Sequence, residues 1–123
     1  MMNTLIWVLS AVLAATYVVT GAGKLVASRE RLLAVHGMGW VEGTPMASVR
    51  LIGALEIAGA IGLIVPWALG ILTFLTPLAA WGLAAVQVGA LWTHMTRGER
   101  EHLWLNVLLL AAAVVVAIGR TVA

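Results

Sequence analysis

From Ile57 to Thr96 the chain carries no Asp, Glu, Lys or Arg. So long an uncharged stretch offers no face to water, and it constrains the fold more than any motif does. The rest of the composition agrees: 63% of the 123 residues are hydrophobic and 10% are charged, against roughly 25% charged in an ordinary soluble domain. This is the composition of an integral membrane chain. At roughly 20 residues per crossing there is length for four helices with short connections and no soluble domain. The fold class is therefore all-α, a four-helix membrane bundle formed by residues 1–123 as a single transmembrane domain.

The apolar segments place the spans at about residues 5–22, 46–65, 68–93 and 103–118. The first lacks the basic leading region of a signal peptide and its apolar stretch is too long for one, so it reads as a membrane helix. The second opens at Pro45 and closes at Pro66-Trp67; Ala54, Ala58 and Gly62 recur on one side, flanked by Gly53 and Gly59, and invite close helix packing. In the third, Pro77 sits in the interior and predicts a kink. Gly82, Ala85 and Gly89 form a second stripe of small residues there. A short charged loop, Thr96 to Glu101, makes the third and fourth helices antiparallel neighbours. Only residues 25–44 form a long connection. Its pattern predicts a short amphipathic helix over 27–36, lying in the membrane interface with Trp40 at headgroup depth after a Gly37-Met38-Gly39 turn.

Of the seven basic residues, all but Arg120 lie in or beside the two connections on one face. The bias predicts that loops 25–45 and 96–102 are cytoplasmic and both termini outside; the expected location is a prokaryotic cell (inner) membrane. A formal charge of +2, with its bases dispersed among apolar segments, gives nucleic acid no surface to bind. There is no cysteine, so thiol exchange, disulfides and thiolate metal ligation are excluded within the chain.

Against that apolar background Glu56 stands out. An acidic residue at the centre of a membrane helix costs roughly 2.5 to 3.5 kcal/mol, so it must face a partner or a wet cavity. The topology supplies company. Tyr17, Thr20 and Lys24 are spaced i, i+3, i+7 on one stripe of the first helix; Gln87 and His94 share a stripe of the third; Asn106 lies one turn into the fourth. If these stripes face inward, Lys24 can snorkel down to Glu56 while Gln87 and Asn106 supply hydrogen bonds. Two readings of such a network stay open: a ligand or proton-handling pocket, and a lock that sets the register of the helices. His36, His94 and His102 all fall on the basic face, without the spacing of metal or haem ligands. Of the three, His94 is placed to act as a lid on the pocket.

Gly21-Ala22-Gly23-Lys24-Leu25, Gly53-Ala54-Leu55-Glu56-Ile57-Ala58-Gly59, His94 and Asn106, in this order and spacing, resemble the DoxX-like membrane proteins. The likeness runs from about Thr16 to Arg120 and implies a four-helix bundle with its polar motif at Lys24, Glu56, His94 and Asn106. It also implies a link to quinone-coupled redox chemistry or stress defence, since the family is named after a membrane subunit associated with thiosulfate oxidation coupled to quinone. Relatives are tied to quinone or catechol stress and to thiol and peroxide defence. A quinone head needs a donor for each carbonyl, which Lys24, Asn106, Gln87 and Trp92 can supply.

The leading expectation is an accessory or binding subunit without covalent cofactor. It would hold a quinone-like or lipid-like molecule, or a membrane partner, as a homo-oligomer or in a hetero-complex, with no catalysis by this chain alone. A structural or assembly protein and a small proton-coupled transporter are the alternatives.

Overall fold

A computed structural model describes residues 1–35, 37–101 and 103–123. Six helical elements follow one another: α1 (Met2–Val26), α2 (Arg29–Leu33), a 3-10 helix (Gly39–Gly43), α3 (Met46–Leu69), α4 (Leu75–Thr96) and α5 (Leu103–Val122). Four of these, α1, α3, α4 and α5, are long and apolar enough to cross a membrane. Among the described residues there is no strand. The chain is a multi-pass membrane protein.

Its helices close a ring, with α1 against α3, α3 against α4, α4 against α5, and α5 back against α1. Glycines set the tightest contacts. A Cβ built on Gly21 would lie 2.8 Å from the carbonyl oxygen of Gly53, and one on Gly53 would lie 2.7 Å from that of Gly21. No side chain fits between α1 and α3 at this level. Gly59 receives Leu83 of α4, Gly62 receives Ala79, and Gly119 of α5 receives Ile6 of α1.

The expected small-residue stripes are therefore only partly used. Ala54 and Ala58 are exposed, Ala85 on α4 is exposed as well, and Gly82 and Gly89 border open space, where an added Cβ would meet nothing within 4 Å. Leu13, Tyr17, Leu63, Leu83, Val116 and the alanines around them fill the core.

Helix ends differ from expectation because their caps come from elsewhere in the chain. α1 does not stop at Gly21-Ala22-Gly23 but runs on to Val26. Its last carbonyls, of Lys24 and Ala27, accept from Arg50 Nη1 of α3 at 2.7 and 2.6 Å.

α3 continues through Pro66, which cannot donate to the carbonyl of Gly62 four residues back. That carbonyl accepts instead from Thr76 Oγ1 of α4 at 2.8 Å. The helix ends at Gly70, whose φ of 67° lets the amides of Gly70 and Ile71 bond back to Trp67 and Pro66. A turn over residues 70–74 follows. α4 consequently starts at Leu75 rather than at 68, and Pro77 falls in its first turn, where a missing N–H leaves no bond broken and gives no cause for a kink.

In the long connection the helix is shorter than the expected 27–36, and His36 lies outside the described residues. Ser28 caps α2 by accepting from the Arg31 amide at 3.2 Å. Instead of a simple turn, residues 39–43 form the 3-10 helix, pinned by Arg29 Nη1, which donates to the carbonyls of Val41, Glu42 and Thr44. Leu32, Val41 and Val49 make a small cluster of their own with Trp40 half-buried against it. The connection is thereby seated on the start of α3.

Candidate functional site

The Gly21–Gly53 contact determines what lies beside it. α1 and α3 run antiparallel, and side chains on a helix lean towards its N-terminus. Lys24, one turn beyond Gly21, therefore leans back into the bundle, while Glu56, one turn beyond Gly53, leans up to meet it. Lys24 Nζ stands 2.6 Å from Glu56 Oε1, with the two side chains 11% and 4% exposed. Oε1 has no other donor among the described residues, and the lysine meets it as a charge contact rather than a well-directed hydrogen bond. Glu56 Oε2 accepts from Thr20 Oγ1 at 3.0 Å. An ion pair thus sits where water is scarce, each charge held by the other.

A second polar chain crosses the bundle beside it. Asn106 Nδ2 of α5 donates to Gln87 Oε1 of α4 at 3.0 Å, and Gln87 Nε2 donates to the Tyr17 hydroxyl of α1 at 2.6 Å. With Glu56 on α3, all four spanning helices contribute. Three groups keep capacity to spare: Tyr17 retains its own O–H proton, Lys24 has further N–H bonds, and the Asn106 Oδ1 accepts from no described residue.

Tyr17, Thr20, Lys24, Glu56, Gln87, His94 and Asn106 all line one cavity of about 1020 Å³. Its walls are apolar at Ile52, Leu55, Val86, Leu105 and Leu109, and its roof comes from residues 33–35, 37–40 and 98–101. His94 belongs to that roof. Its Nδ1 lies 3.0 Å from Glu99 Oε1, an oxygen that Arg97 Nε also contacts at 3.2 Å. Gly39 passes so close that an added Cβ would stand 2.9 Å from Arg97 Nη2. Of the described residues singled out as ligand candidates, Trp92 alone is placed elsewhere, 71% exposed on α4 and outside the lining. His102, like His36, lies outside the described residues.

Sequence reasoning missed a second buried polar cluster at the other end of the bundle. Arg120 of α5 is 4% exposed, with its guanidinium 5.0 Å from the Trp7 ring centroid and 4.4 Å from that of Trp67. Nη1 donates to Asn3 Oδ1 at 2.9 Å, while Nε and Nη2 have no hydrogen-bond partner among the described residues. The available signal was positional: Trp7, Trp67 and Arg120 occupy the same level of three helices by simple counting.

A helical, multi-pass membrane protein with a polar chamber in one half of its bundle is the class that fold and site define together. The sequence model of the DoxX-like family matches residues 8–116, and the chain belongs to that family. No curated protein and no solved structure matches it.

Proposed function

We propose that this chain is a binding subunit whose chamber holds the polar head of a quinone-like or lipid-like molecule, working as a homo-oligomer or beside another membrane protein. The observation that carries the reading is the unspent hydrogen-bonding capacity of Tyr17, Lys24 and Asn106 around a cavity of about 1020 Å³. Pockets for small molecules combine such a few convergent polar groups with apolar walls. A carbonyl or hydroxyl head accepts from Tyr17 and Lys24, and a hydroxyl also donates to Asn106. The proposed setting is a prokaryotic inner membrane, and the charge distribution supports this end of the bundle at the cytoplasm, since every Lys and Arg except Arg120 lies there. Redox coupling, if the family link to quinones holds for this chain, falls to a partner.

Glu56→Gln tests the chamber. It removes the charge at nearly constant shape, and the freed lysine lies close enough to the basic face to reach water. We expect binding of a soluble hydroquinone to weaken by about tenfold, read by calorimetry on protein in lipid nanodiscs. Unchanged binding and an unchanged melting temperature would sink the proposal. A register lock draws on the same network, which spans all four long helices. It predicts that a volume-matched apolar pair at Lys24 and Glu56 keeps every property of the protein.

A further inference from the structure

A second cavity, of about 540 Å³, lies between α3 and α4, and its lining is apolar throughout. It shares Leu55 and Val86 with the polar chamber. From that junction the groove descends from Leu55 to Pro66 on α3 and from Val86 to Leu75 on α4, a drop of about 16 Å at 1.5 Å per residue. Leu55 is 53% exposed, so the junction opens sideways to the bilayer.

The groove exists because side chains are missing along it. Leu83 and Ala79 press into Gly59 and Gly62 to make its floor. Gly82 is different: it receives no neighbour, and a Cβ there would find nothing within 4 Å. Glycine costs helix propensity, and at position 82 no helix contact compensates it. What the missing side chain leaves is room in the trough.

We infer that this groove holds the apolar chain of the same molecule whose head occupies the chamber, so that the ligand is a long-tailed amphiphile entering laterally from the bilayer. The inference rests on the chamber reading. Adjacency at Leu55 and Val86 commits the groove to that occupant: the two cavities meet at these shared side chains, one polar towards the basic face and the other apolar towards the opposite face. A head with no tail would leave the groove to lipid.

The test uses two phenols, one with an ethyl and one with a dodecyl chain, titrated into the intact protein in nanodiscs and corrected against empty nanodiscs. A phenol both accepts from Tyr17 or Lys24 and donates to Asn106. Wild type is expected to bind the dodecyl phenol at least about tenfold tighter. Gly82→Leu, which fits the open space and improves helix propensity, is expected to erase that gain and to leave the ethyl phenol within about twofold.

If the ethyl phenol binds in a Glu56-dependent way and Gly82→Leu does not touch the dodecyl phenol, the groove is wrong and the chamber stands. If neither phenol binding depends on Glu56, the chamber falls and the groove with it. A diazirine at the end of the dodecyl chain should label residues 58–66 and 75–82. Labelling confined to other segments, equal labelling by an ordinary phospholipid diazirine, or a crosslink between two copies through these residues each overturns the assignment.

Discussion

Both ends of the bundle bury a strong base, and they treat it in opposite ways. Lys24 meets a carboxylate and keeps a large cavity at its side. Arg120 meets no acid among the described residues; Trp7, Trp67 and Asn3 cover it, and it lines neither cavity. The chemistry of the two cations explains the difference. Lysine is a compact, strongly hydrated charge that needs an opposite charge when water is removed, whereas the flat guanidinium is weakly hydrated and stacks on aromatic faces. Two tryptophans fill the space around Arg120. Short polar side chains around Lys24 leave space over. A buried charge alone is therefore no mark of a ligand site; the unfilled volume beside it is.

The strongest way to break this comparison is Lys24→Met. It strands Glu56, 4% exposed in the middle of α3, without its counter-charge, and should destabilise the protein by roughly 3 to 5 kcal/mol. Adding Glu56→Leu should recover most of that loss while binding stays abolished, as read by thermal unfolding and ligand titration on the same samples. Recovery of both would favour the register lock over the pocket.

Arg120→Met should cost less, roughly 2 kcal/mol for two desolvated ring contacts, and should leave ligand affinity unchanged. Arg120→Lys should fail to rescue, because an ammonium cannot lie flat against both rings. A ligand effect from Arg120 would erase the contrast between the two ends.

The smallest effect is expected from Asn106→Leu, which strands the Gln87 carbonyl oxygen and should lower stability by about 1 kcal/mol. Affinity for a hydroxyl-bearing ligand should fall with it, whereas a ligand lacking a donor should notice little. Equal losses for both ligands would mean that Asn106 only positions Gln87.

Much of this was legible in the chain. Four spans and their helical character follow from the length of the apolar segments, a local property that needs no partner. The company around Glu56 was legible in part: helical spacing and antiparallel topology bring Lys24 and Thr20 to it, and the cost of a bare membrane carboxylate demands such a partner, whereas Gln87 and Asn106 bond to Tyr17 and to each other and not to the ion pair. Trp92 shows where that reasoning stops. It lies five residues from Gln87, off the inward stripe, and side-chain type alone did not reveal this.

Sequence by itself determined the class, the number of crossings and the polar residues that must be satisfied, since each rests on the transfer cost of single groups into hydrocarbon. Tertiary structure alone decided where helices end, which glycines pack and where volume is left over. α1 gains its last turn from Arg50, and α3 passes Pro66 because Thr76 supplies the missing donor. Gly21 and Gly53 meet while Gly82 and Gly89 stay open. These outcomes depend on contacts between residues far apart in the chain. A composition or a periodicity carries no record of such contacts, and both the chamber and its groove are made by them.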